Sequence, residues 1–385
     1  MSHVYLDHNA TTALNSLVLN AMLPWMQMRS GNPTSRHNSG RASRDAVEHA
    51  RSQVAEACGA YGSQVVFTAN GTSANNFAIK GMAGYLPASQ ILTSSIERPC
   101  VTRPALAMQQ FGFMAKQIPV DVNGKIDLLQ LKNQLVTPTS LVSVMLANNE
   151  TGVIQEIVQI AEMARTANAL VHTDAVQGVC KIPLSFTDLN VHAMTVSSHK
   201  IGGPQGAAAL ILDKRIDITP LLHGGGQEKG LRSGTENVAA IVGFGLACEL
   251  AVANKNTFAS HTSLLRDAFE QGLKVIAKDL NIVIFGDKAK RLPNTSFFAI
   301  EGIEGETLVM ALDRKGYAVA SGSACSSDST EPSHVLLAMS VDKDLARGAV
   351  RVSFGLNNTL EEVLGFLTAL QNVTARLKQL TAIAA

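Results

Sequence analysis

Val191-His192-Ala193-Met194-Thr195-Val196-Ser197-Ser198-His199-Lys200-Ile201-Gly202-Gly203-Pro204 is an apolar strand that runs straight into hydroxyls, a histidine, a lysine and two glycines. A lysine at such a strand end has two readings. It is an ordinary solvated residue, or its amine is partly desolvated, less basic, and able to form a Schiff base with an aldehyde cofactor. The glycines behind it let backbone approach a ligand closely. Outward from this stretch, apolar bursts recur at Val65 to Phe67, Gln90 to Leu92, Leu141 to Leu146, Leu170 to His172 and Ala207 to Leu212. Amphipathic segments such as Ile154 to Ala169 separate several of them, and Ser43 to Cys58 carries apolar residues at helical spacing before Gly59. Strands alternating with helices predict an α/β unit with a largely parallel sheet covered on both faces. Such sheets bind ligands beyond their strand ends, so the functional residues are expected there.

From about Asn256 the pattern changes to long amphipathic segments, Leu264 to Lys278 and Thr359 to Ala385, around short strands near 282–285, 294–299 and 350–354. This predicts a smaller α+β domain. The 385 residues suit two domains. With 46% hydrophobic and 16% charged residues and a net charge of +1, the composition offers no basic surface for nucleic acid. No apolar run reaches the roughly 20 residues of a membrane helix. The amino terminus lacks signal-peptide features, so a cytoplasmic location is expected. Five scattered cysteines without C-x-x-C spacing indicate neither a disulfide framework nor a metal site.

Two further strand ends carry chemistry. Val171-His172-Thr173-Asp174-Ala175-Val176-Gln177 delivers a carboxylate, which either caps the next helix or serves as the anion beside a cofactor's pyridine nitrogen. Thr68-Ala69-Asn70-Gly71-Thr72-Ser73 opens a helix-like stretch, either as a plain connection or as a phosphate cradle of amides and a hydroxyl.

Together with Tyr5 to Thr12, Gly31 to Ser35, Asn148-Asn149-Glu150-Thr151-Gly152, His223 to Glu228, Arg232 to Thr235 and Ser321 to Cys325, these segments carry a family resemblance from residue 5 to Arg351. The chain resembles the cysteine desulfurases of iron-sulfur cluster assembly and nitrogen fixation, among the class V aminotransferase-like enzymes that use pyridoxal 5'-phosphate (PLP). The resemblance implies the PLP fold-type I architecture: a large domain, 15–258, with a mainly parallel seven-stranded sheet, and a smaller α+β domain formed by 1–14 and 259–385. It implies that Lys200 carries the cofactor, Asp174 partners the pyridine nitrogen, and Asn149 and Gln177 bond the ring oxygen. Gly71, Thr72, Ser197 and His199 would hold the phosphate, joined by Thr235 from the other subunit of a homodimer. Arg351, with Asn149, would hold the substrate carboxylate, a task suited to a bidentate fork. The implied reaction converts L-cysteine to L-alanine and leaves sulfur as a persulfide for an acceptor or iron-sulfur scaffold protein.

Four cysteines lie in or beside apolar segments, whereas Cys325 sits in the small polar run Ala320 to Thr330, a loop candidate. Cys325 is therefore the candidate sulfur acceptor. The family's Thr-Glu-His motif departs here to Ile96-Glu97-Arg98, followed by Pro99-Cys100. Arginine stacks on a π-system but stays protonated, so Arg98 is expected to keep stacking while Lys200 or Cys325 moves protons. Ser73 also stands where relatives often carry glutamate. Alternatives to the desulfurase are a weakly active sulfur-relay or scaffold partner, favoured by Arg98, and a selenocysteine lyase.

Overall fold

Period-two alternation builds the larger sheet, because successive residues of a strand face opposite sides. Val65 and Phe67, Leu92, Val142 and Ile211 join one buried cluster; their neighbours Val66, Ile91, Leu141 and Leu210 join another on the opposite face. Strands buried on both faces must be covered by helices on both, and they are. The computed structural model describes residues 3–27, 31–220, 222–277, 280–322 and 331–384, the last five by backbone alone.

The strands are β1 (Val4–Tyr5), β2 (Val65–Thr68), β3 (Gln90–Ser94), β4 (Met114–Ile118), β5 (Thr139–Ser143), β6 (Leu170–Asp174), β7 (Ala193–Ser197), β8 (Ala208–Leu212), β9 (Ile282–Ile284), β10 (Thr295–Ile300), β11 (Tyr317–Ala318), β12 (Ala320–Ser321) and β13 (Ala349–Ser353). The seven-stranded sheet runs β2-β8-β7-β6-β5-β3-β4; β8 is antiparallel to both neighbours and the other pairings are parallel. Helices Asn38–Ala57, Ile157–Thr166 and Val238–Ala253 pack on one face, Gly71–Gly84 and Pro99–Ala107 on the other. The helix read from Ser43 starts earlier, at Asn38, because His37 accepts the Gly40 amide as its cap. β4, half exposed on the sheet edge, has too few apolar residues to be read as a strand from sequence.

A four-stranded antiparallel sheet, β12-β13-β10-β9, packs against helices Lys255–Ile276, Gly305–Asp313 and Leu360–Ala384. Its core sets Phe269 edge-on to Phe298 and Phe354 and tilted against Phe366, and takes in Leu6 from the amino-terminal segment. That terminus crosses between the two packed units: β1 pairs with β11, and Asp7 bridges Ser353 of β13. Among the described residues no single helix is long and apolar enough to cross a membrane.

Candidate active site

The turn after β7 is one 3₁₀ turn, Ser198–Lys200, that ends on a buried Lys200. Gly203 is required there: a Cβ at this position would fall 2.1 Å from Ser198 Oγ and 2.9 Å from Ala247. Lys200 is 6% exposed, and its Nζ donates to the carbonyls of Asn9, at 2.5 Å, and Ala10. Burial, then the nearby cations Arg98, Lys181 and Arg351, push its pKa down to about 7. Such an amine is substantially uncharged near neutral pH and can act as a nucleophile.

Asp174 ends β6 at 3% exposure. Its Oδ1 accepts the Val176 amide at 3.0 Å, so it caps a turn where the sequence offered a helix. Its Oδ2 accepts from Asn75 Nδ2 at 2.8 Å and lies 3.7 Å from Arg98 Nη1. Capping and presentation of a carboxylate are thus both served by one side chain. Arg98 owes its position to Pro99, which starts the helix Pro99–Ala107 at its first turn and holds the preceding residue extended. The residue expected to stack on the cofactor therefore also reaches the carboxylate expected to hold its nitrogen.

Beside these, β2 leads into the helix Gly71–Gly84, whose cap Asn70 takes the Ser73 amide and hydroxyl. This is the structural use of Ser73. The amides of Gly71 and Thr72 stand at the helix's positive end. Ser197 Oγ, buried at the end of β7, has no hydrogen-bond partner, and a Cβ added at Gly71 would come within 3.8 Å of the Ser197 Cβ. An unpartnered hydroxyl beside a helix amino end suits an anionic oxygen. His199 faces Thr11 Oγ1 at 3.2 Å; burial and then Lys200, Arg98 and Lys181 push its pKa down to about 4, leaving a neutral ring.

A cavity of about 680 Å³ gathers Thr72, Arg98, Asn149, Gln177, Lys200 and Arg351 with Cys100. Arg351, 6% exposed on β13, donates to Asn149 O at 3.1 Å and to Asp7 Oδ1 at 2.5 Å, while its buried Nε has no partner. Asn75 Nδ2 lies 3.2 Å from Cys100 Sγ, so this thiol borders the cavity; Cys58, Cys180 and Cys248 are buried. Thr235 is exposed and is not part of the cavity wall. Cys325 lies outside the described residues.

Sequence reasoning gives no role to three buried groups of the site: Asn9, Lys181 and Asn75. Glu97, 1% exposed, enters it only as part of the motif: Oε1 accepts from Met145 N and Ser94 Oγ, Oε2 has no partner, and burial followed by Asp174 pushes its pKa up to about 8.

These residues fit PLP: an amine for its aldehyde, a carboxylate for its nitrogen, and an unpartnered hydroxyl with a helix end for its phosphate. The aminotransferase class-V family model matches residues 4–366. The cysteine desulfurase IscS of Dictyoglomus turgidum is 40% identical over 98% of this chain and 96% of its own length. A solved NifS-like protein superimposes with a TM-score of 0.91 at 36% identity, covering 97% of this chain and 99% of that one. The structure described as SspA in complex with cysteine gives a TM-score of 0.80 at 29% identity over 92% and 99% of the two chains. The chain is a PLP-dependent enzyme of the aminotransferase class-V family, within its cysteine desulfurase branch.

Proposed function

We propose that this enzyme converts L-cysteine to L-alanine and passes the sulfur to Cys325. The observation that carries the reading is the buried Lys200 amine in a cavity it shares with Arg351 and Asn149. Bound PLP supplies the electron sink that loosens the substrate's bonds. Lys200 would carry the cofactor, and its amine is placed to hold and return a proton at the substrate carbon. Arg351 grips the substrate carboxylate through the fork it now shares with Asp7 and Asn149. Asp174, oriented by Asn75, would serve the ring nitrogen, and Ser197 with the Gly71 and Thr72 amides would hold the phosphate. The carbon–sulfur bond of cysteine breaks, a sulfur–sulfur bond forms on the Cys325 thiolate, and the carbon that loses sulfur takes a proton. Cysteine plus thiol thus gives alanine plus persulfide, with no outside oxidant.

Thr235 is read as the phosphate ligand lent by a second copy in a homodimer. The persulfide is read as cargo for an acceptor in iron-sulfur assembly or in tRNA or cofactor thiolation, in the cytoplasm. The test is one sample of purified enzyme given L-cysteine, with absorption spectroscopy, an alanine assay and mass spectrometry of the Cys325 peptide. The expected result is a changed cofactor band, alanine, and one extra sulfur on Cys325; Cys325→Ser abolishes the extra sulfur. One observation favours a second reading, a weakly active relay partner: Arg98 competes at 3.7 Å for the carboxylate that serves the cofactor. A bound cofactor that yields neither alanine nor persulfide selects that reading.

A further inference from the structure

Lys200 is the wall between two cavities. One is the 680 Å³ cavity of the active site; the other, about 500 Å³, is lined by Lys200, Lys181, Cys180 and His8. Lys181 has no part in the reaction, yet it is 3% exposed, and a buried ammonium is costly unless the fold uses it. Its Nζ donates to Gln177 Oε1 at 3.0 Å and to Asn9 Oδ1 at 3.3 Å. The other end of the Gln177 amide donates to Asn9 O at 2.9 Å, the same carbonyl that accepts from Lys200. Two lysines therefore hold one residue, Lys200 by its carbonyl and Lys181 by its side chain. The Asn9 amide cannot turn over without loss, because Oδ1 also accepts from Asn294 while Nδ2 donates to Thr295 Oγ1 and Asn149 O.

We propose that Lys181 is a positioning residue of this site: it fixes the Gln177 and Asn9 amides around the cofactor lysine and stands as a second cation beside it. The inference rests on Lys200 being the residue that carries the cofactor. The titratable groups around Lys181 are Arg351 from β13, Lys200 and His199 from the turn after β7, His8 from the amino-terminal segment, and Cys180 next in the chain, with Asp7 beside His8 and Lys200. Burial and then Arg351 push the Lys181 pKa down to about 7, so two amines in one network compete for protons near neutrality and titrate as a pair. Removing Lys181 lets Lys200 keep its proton to higher pH, by about one unit for like charges separated by a single residue. It also releases the Gln177 amide from its fixed orientation.

The experiment is a pH titration of the cofactor absorption band in the full-length holoenzyme with Lys181→Met, Lys181→Gln and Lys181→Arg. Met and Gln are expected to raise the midpoint by about one pH unit, and Arg, a permanent charge, to leave it at or below the wild-type midpoint. An unmoved midpoint in folded Lys181→Met or Lys181→Gln overturns the proposal. If neither neutral variant folds, Lys181→Arg decides, since a midpoint above wild type overturns it. Borohydride reduction and peptide mapping of the wild-type enzyme test the reading beneath it separately: the cofactor mass belongs on Lys200, and finding it on another lysine removes both.

Discussion

At the ends of β6 and β3 the large sheet delivers two acids, Asp174 and Glu97, exposed by 3% and 1%, whose surroundings diverge. Asp174 meets the Asn75 amide, the Val176 amide and the guanidinium of Arg98, all donors, and Arg98 in turn lines the cavity that holds Lys200. Glu97 is turned into the protein, where a backbone amide and a serine serve one oxygen and nothing serves the other. Its raised pKa of about 8 comes from that burial and from Asp174 itself. Donors on both oxygens fix the Asp174 side chain as a hydrogen-bond acceptor. An acid that keeps its proton suits a structural pin, here for the turn that carries Arg98. The two acids lie close enough to influence each other, and burial with partner choice separates their tasks.

The comparison breaks most visibly at the β6 and β7 side. Lys200→Ala should cost about a thousandfold or more in alanine formation and leave no cofactor mass on residue 200 by mass spectrometry. Asp174→Ala should lower turnover by about a hundredfold and alter the cofactor band, while circular dichroism stays unchanged. A turnover within twofold of wild type would remove Asp174 from the cofactor's ring nitrogen. On the β3 side the effects shrink. Arg98→His restores a residue able to shuttle protons and should shift the absorption band and raise turnover by about tenfold; an unchanged spectrum and rate would sink the argument that Arg98 limits this enzyme. Glu97→Gln should leave turnover nearly intact and act on stability. A carboxyl raised from 4.5 to about 8 in the folded state contributes stability that is full below the unfolded value and is lost as pH rises through the folded one. Between pH 5 and pH 8.5 the wild-type Tm should therefore fall by several degrees more than that of Glu97→Gln in scanning calorimetry.

The strand-end residues are legible because each belongs to a local pattern: an apolar run, then Lys200, Asp174 or Gly71 at its end. The seven strands and their helical cover arise from the same alternation, apart from the polar edge strand β4. Asn9 and Lys181 are not legible. Asn9 works through Asn149, Thr295, Asn294 and Ser353, partners 140 to 344 positions away, and no local spacing encodes such contacts. Lysines are almost never fully buried, so nothing in the sequence around Lys181 suggests an interior amine. Arg98 stands out as a departure from the family motif, but its approach to Asp174 depends on Pro99 and on the meeting of two strand ends.

The amino-terminal segment also sets a schedule. Lys200 donates to the carbonyls of Asn9 and Ala10, while Asp7, His8 and Asn9 are held by Ser353, at the far end of the chain. On the ribosome, the first dozen residues emerge long before the strand that fixes them has been made. The lysine can reach its depth in the large sheet, but the segment that carries its acceptors gains its Ser353 anchor when β13 is released and closes a loop of more than three hundred residues, a slow, entropically costly contact. Newly made chains should therefore pass through a state with the large sheet folded and the cofactor pocket unfinished.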